Sequence, residues 1–296
     1  MKYKKLPSEF FSRGNRCSGD LYLPDAKKNP PVVIMAHGFG AERTFRLPAY
    51  AEKFAEAGLA VFLFDYRCFG QSEGIPRNYV DPTRHLEDWR QALIHIRSMP
   101  DVDTDKIALW GTSFSGGHIM VTAAKDQDIS AIVAQVPFVD AISSTRLMGW
   151  KYVMEATAHG LKDLARIMSF QEPHYVKIAG TPDEFAVMNT PDAYEGVMTI
   201  LPENTAWNNQ CPARILLRAA AYRPTAFASK IRCPALIQVA LKDSLIDARA
   251  VVAAARKIPK AELVEYDIGH FDIYTGKMFE EAAAAQIQFL TRHLLQ

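Results

Sequence analysis

A serine, an aspartate and a histidine each stand just past the end of a run that reads as a strand in this chain. Ser113 follows Ile107-Ala108-Leu109-Trp110, Asp243 follows Ala235 to Ala240, and His270 follows Ala261 to Tyr266. A serine hydroxyl is a poor nucleophile at neutral pH, so a base must take its proton during attack, and a buried acceptor must orient that base. These residue types can together carry out acyl transfer, with Ser113 as nucleophile, His270 as base and Asp243 as orienting acid. Asp247 is the alternative acid, but it lies further past the run and can equally cap the helix that follows. Among the other histidines, His85, His95, His118, His159, His174 and His293 fall in helical or irregular stretches. His37, in an early loop, reads as a structural hydrogen-bonder.

The stretch KIALWGTSFSGG, residues 106–117, has to place that serine. Its apolar run stops at Gly111, and helical spacing begins at Phe114. A serine on such a strand-to-helix corner adopts a strained backbone and needs small residues two positions away on either side. Gly111 and Ser115 occupy those places, giving a G-x-S-x-G nucleophile elbow that ends in serine. With Ser115 as nucleophile instead, Ser113 would stand where glycine is wanted, so Ser113 is the better choice. The corner aims a helix N-terminus at the hydroxyl, which makes the Phe114 N–H one oxyanion donor. The loop His37-Gly38-Phe39-Gly40, after the run Val32 to Ala36, supplies the second at Phe39.

The remaining elements alternate in the manner of a parallel sheet with crossover helices. Glu9 to Leu23 reads as an antiparallel edge hairpin turning at Gly14-Asn15. Strands are expected at Leu59–Phe64 and Ala131–Gln135 besides those already named, and helices at 46–57, from Asp81 or Thr83 to Arg97, at 248–258 and at 279–295. Asp65 and Arg67, in DYRCFGQSEG, are expected to pair with each other or with backbone. The rhythm breaks between Phe138 and about Ile231, so the expected domains are an α/β core of residues 1–137 and 232–296 and a helical cap of residues 138–231. An insertion over the C-terminal edge of a parallel sheet lies where ligands bind. Its large apolar residues, among them Trp150, Tyr152, Met154, Met168, Phe170, Phe185, Met188 and Trp207, are therefore candidates for an acyl pocket or for the insertion's own core.

Composition narrows the partners. Lys and Arg number 34 against 33 Asp and Glu, for a net charge of +1, so no global field draws in nucleic acid or an anionic membrane. Cys17, Cys68, Cys211 and Cys233 show no metal-ligand or redox spacing, and scattered thiols fit the cytoplasm. Asp101, Asp103 and Asp105 resemble a calcium loop but lack its glycine and its closing glutamate. The start lacks a signal-peptide core and no run spans a bilayer. The expected partner is a small, apolar acyl ester or thioester, with no metal and no organic cofactor; whether the chain is a monomer or a homodimer is left open.

With HGFG, DYRCFGQSEG, WGTSFSGGH, the run ending in LKD, and GHFDIYTG in view, the chain resembles a serine-dependent member of the α/β-hydrolase superfamily over essentially its full length. It is most similar to the dienelactone-hydrolase-like group that includes fungal polyketide transferases and thiohydrolases, through WGTSFSGGH and WNNQCPAR with the later YRP. The resemblance implies a mostly parallel twisted sheet flanked by helices. It also implies Ser113, Asp243 and His270 as nucleophile, acid and base, with oxyanion donors at Phe39 and Phe114. Dienelactone hydrolases proper use cysteine, and haloalkane dehalogenases an aspartate at the elbow, so neither reaction carries over. Three readings remain: hydrolysis of an ester or thioester, acyl transfer to an alcohol, and a non-catalytic small-molecule binder on the same fold.

Overall fold

The computed structural model describes residues 2–25 and 28–296. Its central strands are short, largely apolar segments buried on both faces, since each must pack against helices above and below the sheet. An edge hairpin, β1 (Tyr3–Ser12) and β2 (Asn15–Pro24), is followed by β3 (Pro31–Ala36), α1 (Leu47–Glu56) and β4 (Ala60–Phe64). Next come α2 (Pro82–Arg97), β5 (Asp103–Thr112), α3 (Phe114–Lys125) and β6 (Ala131–Gln135). The hairpin turn differs from the sequence expectation. Ser12 pairs with Asn15, so Arg13 and Gly14, both at positive φ, form a two-residue turn, which matches the twist of the strands it joins.

Residues 138–231 carry α4 (Ala141–Met168), β7 (Tyr175–Ala179), β8 (Ala186–Met188), α5 (Ala193–Ile200), β9 (Gln210–Pro212) and α6 (Ile215–Ala219). The region is not purely helical as expected, because β7, β8 and β9 make a separate three-stranded sheet in the order β8-β7-β9. Helix α4 is capped by Asp140, which accepts from the Ile142 N–H at 2.9 Å, and it breaks at Gly149. The chain then returns through β10 (Ala235–Ala240), α7 (Ala248–Ala255), β11 (Ala261–Tyr266) and α8 (Gly276–Leu294).

The main sheet has eight strands in the order β1-β2-β4-β3-β5-β6-β10-β11. From β4 to β11 neighbouring strands run parallel. Period-two burial divides them between two cores. Val32 and Ile34 face α2, α3 and α7, whereas Val33 and Met35 face α1 and α8. Parallel alignment brings the C-terminal ends of β3, β5, β10 and β11 to one edge, where the loops carrying Phe39, Ser113, Asp243 and His270 emerge.

A buried amide cluster fixes α8 beneath those strands. Gln286 accepts from the Trp110 indole N–H on β5 at 2.9 Å and donates to Gln135 on β6 at 2.8 Å and to Gln238 on β10 at 2.5 Å. Gln238 in turn donates to the Tyr266 hydroxyl at 3.0 Å and to the Ala282 carbonyl at 3.1 Å. An apolar residue at 286 would strand the Trp110 donor and two glutamine carbonyls, each lost partner costing about 1–3 kcal/mol. Gln286→Leu is therefore expected to lower unfolding stability by about 2–4 kcal/mol, read as a lower urea midpoint at unchanged slope.

Candidate active site

Ser113 sits between β5 and α3 with φ 54 and ψ −120. A non-glycine residue held there costs roughly 1–3 kcal/mol. Packing around the corner holds it: the Ser113 N–H donates to the Gln135 carbonyl at 2.9 Å, and its carbonyl accepts from the Phe138 N–H at 2.8 Å. A Cβ at position 111 would lie 2.5 Å from the Ser115 carbonyl oxygen, so only glycine lets the helix fold back this closely on the strand. Ser115 itself is buried, and its hydroxyl shares a 2.8 Å hydrogen bond with that of Tyr66. The Tyr66 oxygen also accepts from the Trp89 indole at 2.9 Å. The fifth position of the elbow thus has room for a Cβ and gives its oxygen to the core.

The register of β10 and β11 positions Asp243 and His270. Ala240 pairs with Tyr266, and beyond them the Leu241 N–H donates to the Tyr266 carbonyl at 2.8 Å and the Lys242 N–H to the Ile268 carbonyl at 3.0 Å. Asp243 and His270 therefore leave the sheet side by side. His270 Nδ1 lies 2.6 Å from Asp243 Oδ2, and His270 Nε2 lies 3.2 Å from the Ser113 hydroxyl. The other Asp243 oxygen accepts from the Leu245 and Ile246 N–H groups at 2.8 and 2.9 Å, which locks the carboxylate. Both side chains of the pair are almost fully buried. Asp247 instead caps α7, accepting from the Arg249 N–H at 3.0 Å.

Phe114 is the first residue of α3, so its N–H belongs to the turn with no intrahelical acceptor. Its ring is packed among those of Phe39, Phe138, Tyr222 and His118, with centroids at 5.4, 5.3, 5.4 and 4.7 Å. The loop bearing Phe39 is tied down from two sides. Asp65 accepts from the Arg43 N–H at 2.7 Å and pairs with the Arg43 guanidinium, and the Gly40 carbonyl accepts from the Trp207 indole at 2.8 Å. Asp65 and Arg67 do not pair with each other; each meets backbone, the other expected outcome, Asp65 at the Arg43 N–H and Arg67 at the Arg84 carbonyl at 2.9 Å, and each has a further charged partner, Asp65 in Arg43 and Arg67 in Asp88 at 2.5 Å. His37 is buried, with Nδ1 3.0 Å from the Gly38 carbonyl.

Two cavities meet at Ser113. The larger, of about 250 Å³, is bounded by Phe39, Phe114 and Phe138 from the core and by Met148, Tyr152 and Met188 from residues 138–231. The smaller, of about 40 Å³, includes His270 and Trp207. Among the described residues no aspartate, glutamate, lysine or arginine lines either one. Of the apolar residues singled out in the sequence, Tyr152, Met188 and Trp207 reach the site, while Trp150, Met154, Met168 and Phe170 lie exposed.

Sequence patterning missed a polar chain under the elbow. The Tyr222 hydroxyl lies 2.6 Å from His118 Nδ1, and His118 Nε2 lies 3.2 Å from His85 Nδ1. His118 follows directly on the glycines of the elbow, which was its one visible sign. Burial, with His37 adding to it, pushes His118 down to about 3, and burial also holds His85 well below its ordinary value.

A parallel sheet covered by helices, with a serine on a strained corner at its C-terminal edge, is the α/β-hydrolase architecture. The chain belongs to the family described as Serine aminopeptidase, S33, whose pattern matches residues 27–273. It is similar to the quorum-quenching protein AidA of Acinetobacter baumannii, at 38% identity over 97% of this chain and 94% of that one. It is also similar to the thiohydrolase aneE of Aspergillus aculeatus, at 28% identity over 94% and 89%. The solved structure of the DcsB complex with its substrate analogue shares the fold, with a TM-score of 0.88 at 24% identity over 99% of this chain and 100% of that one. Among the described residues no helix is long and apolar enough to cross a membrane.

The buried histidines make stability depend on pH. Unfolded His118 takes up a proton near pH 6.5, whereas the folded side chain resists protonation until about 3. Its contribution is therefore complete above pH 6.5 and is lost as the pH falls toward 3, by up to about 1.4 kcal/mol per pH unit. His118→Asn is expected to lose less stability than the parent between pH 7 and pH 5, measured as the difference in urea midpoints.

Proposed function

We propose that the chain is a serine hydrolase cleaving esters or thioesters of apolar acids through an acyl-enzyme. Ser113 attacks the carbonyl carbon as His270 Nε2 takes the hydroxyl proton, and Asp243 holds the imidazole and offsets its charge. The backbone N–H groups of Phe39 and Phe114 are the oxyanion donors, each worth about 2.7–4 kcal/mol of barrier. His270 then protonates the leaving group, and a water molecule attacks the acyl-enzyme by the reverse sequence. No metal and no organic cofactor takes part in this sequence. Residues 138–231 act as a cap over a core of residues 1–137 and 232–296, supplying much of the acyl-site wall.

The observation that carries the reading is the unbroken set of contacts from Asp243 through His270 to the Ser113 oxygen, at 2.6 and 3.2 Å. The apolar 250 Å³ cavity beside that oxygen supports an uncharged acyl group. A free peptide N-terminus would call for a carboxylate in the site, and among the described residues none lines either cavity; this favours esters and thioesters over aminopeptidase substrates. The thiohydrolase name of one relative supports the thioester half of the reading.

Ser113→Ala is expected to abolish labelling by a fluorophosphonate and to lower kcat/KM for methyl octanoate by at least about 10³-fold, followed as acid release. Asp243→Asn should keep the fold and lose kcat by about 10⁴-fold. A parental rate in Ser113→Ala would end the proposal.

A further inference from the structure

The two cavities at Ser113 are unequal, and the base opens onto only one of them. His270 lines the space of about 40 Å³, together with Trp207, Val197, Ile200 and Phe271, and does not line the 250 Å³ space. In acyl transfer through a serine, the group that leaves and the group that later attacks must both bring their oxygen within about 2.6–3.2 Å of the same imidazole nitrogen. The acyl chain is free of that requirement. Chemistry thus assigns the acyl chain to the larger cavity and both the leaving and the accepting group to the smaller one.

Volume then sets the size of each. The larger cavity, at about 250 Å³ against about 40 Å³, has about six times the volume of the smaller, so the acyl chain is the bulkier of the two groups. One water needs only about 10–15 Å³ of such space, so the smaller cavity accommodates a few atoms beyond the reacting oxygen.

The walls of the smaller cavity are fixed in place. The Trp207 indole N–H is held by the Gly40 carbonyl at 2.8 Å, and its ring meets that of Phe45 at 5.4 Å. Phe271 presses so closely on α5 that a Cβ at Gly196 would lie 2.1 Å from its ring.

We infer that this side of Ser113 is a size-limited subsite that takes water or a one- or two-carbon alcohol, with Trp207 as its principal wall. The inference rests on the hydrolase reading above and narrows it, from esters or thioesters to methyl or ethyl esters of bulkier apolar acids. In the first half-reaction the bond between carbonyl carbon and alcohol oxygen breaks, and the His270 proton goes to that oxygen. In the second, water adds its oxygen to the carbonyl carbon and gives one proton to His270. The bond from carbon to the Ser113 oxygen then breaks, and that proton returns to Ser113. The products are the free acid and the small alcohol.

Methyl, ethyl, butyl and hexyl octanoate, assayed by titration of released acid, test the inference. The parent is expected to turn over the methyl and ethyl esters with kcat/KM at least tenfold above the hexyl ester. Trp207→Ala is expected to raise the hexyl-to-methyl ratio at least tenfold. Ile200→Ala, which trims the same wall without touching the Gly40 contact, should move the ratio in the same direction and serves if Trp207→Ala does not fold. Ala41→Leu, which fills the subsite, should lower the ethyl-to-methyl ratio. A parent that prefers the hexyl ester, or wall variants that fold and leave the ratio unchanged, would overturn the subsite. Fluorophosphonate labelling of Ser113 separates the two claims: if labelling persists while the ratios stay flat, the subsite fails alone, and if Ser113 is never labelled the hydrolase reading fails with it.

Discussion

A serine held at positive φ survives only where its surroundings leave it no alternative. At Ser113 that constraint comes from three directions: β5 enters the corner, α3 leaves it across Gly111, and hydrogen bonds from the Ser113 N–H to the Gln135 carbonyl and from the Phe138 N–H to the Ser113 carbonyl close it. Everything else near the site is arranged around this fixed point. The hydroxyl is raised off the sheet edge, the first turn of α3 points at it, and the loops after β10 and β11 need only reach one position in space.

Buried polar groups, more than apolar packing, hold those loops in register. Asp65 has one strong partner, Arg43, and the pair joins the loop after β3 to the loop after β4. Tyr222, His118 and His85 join residues 138–231 to α3 and α2 through two hydrogen bonds. In a low-dielectric interior, removing one member of such a chain leaves its neighbour unpaired, which costs more than the bond itself contributes. Polar networks of this kind specify one geometry where an apolar core would tolerate several.

The parts of the molecule legible in the sequence were those whose burial is periodic. Ala131–Gln135 and Ala235–Ala240 are strands over the same residues read from the chain, because segments buried on both faces are largely apolar; Ala261–Tyr266 matches too, although this edge strand is only partly buried and carries Glu262 and Glu265. The superfamily was legible too, since glycine-rich loops and the serine corner keep a local signature. What escaped was set by distant partners. Strands β7, β8 and β9 have three to five residues each and are only partly buried, so no continuous apolar run marks them. The partner of Asp65 lies 22 positions upstream rather than two downstream. Trp207 looked like one more apolar residue of the insertion; its contact with Gly40 spans 167 positions, and no local pattern encodes it.

The Gln286 cluster has a consequence for biosynthesis. A ribosome delivers β5, β6 and β10 well before α8, yet the Trp110 indole and two glutamine amides in those strands find their common partner only on that last helix. His270 also follows Ser113 by 157 positions. While β11 and α8 are still unmade, the nascent polypeptide carries an incompletely braced sheet and Ser113 without the His270 imidazole. Ser113 thus meets His270 only after β11 has been made, and the sheet gains its glutamine brace only once α8 has followed.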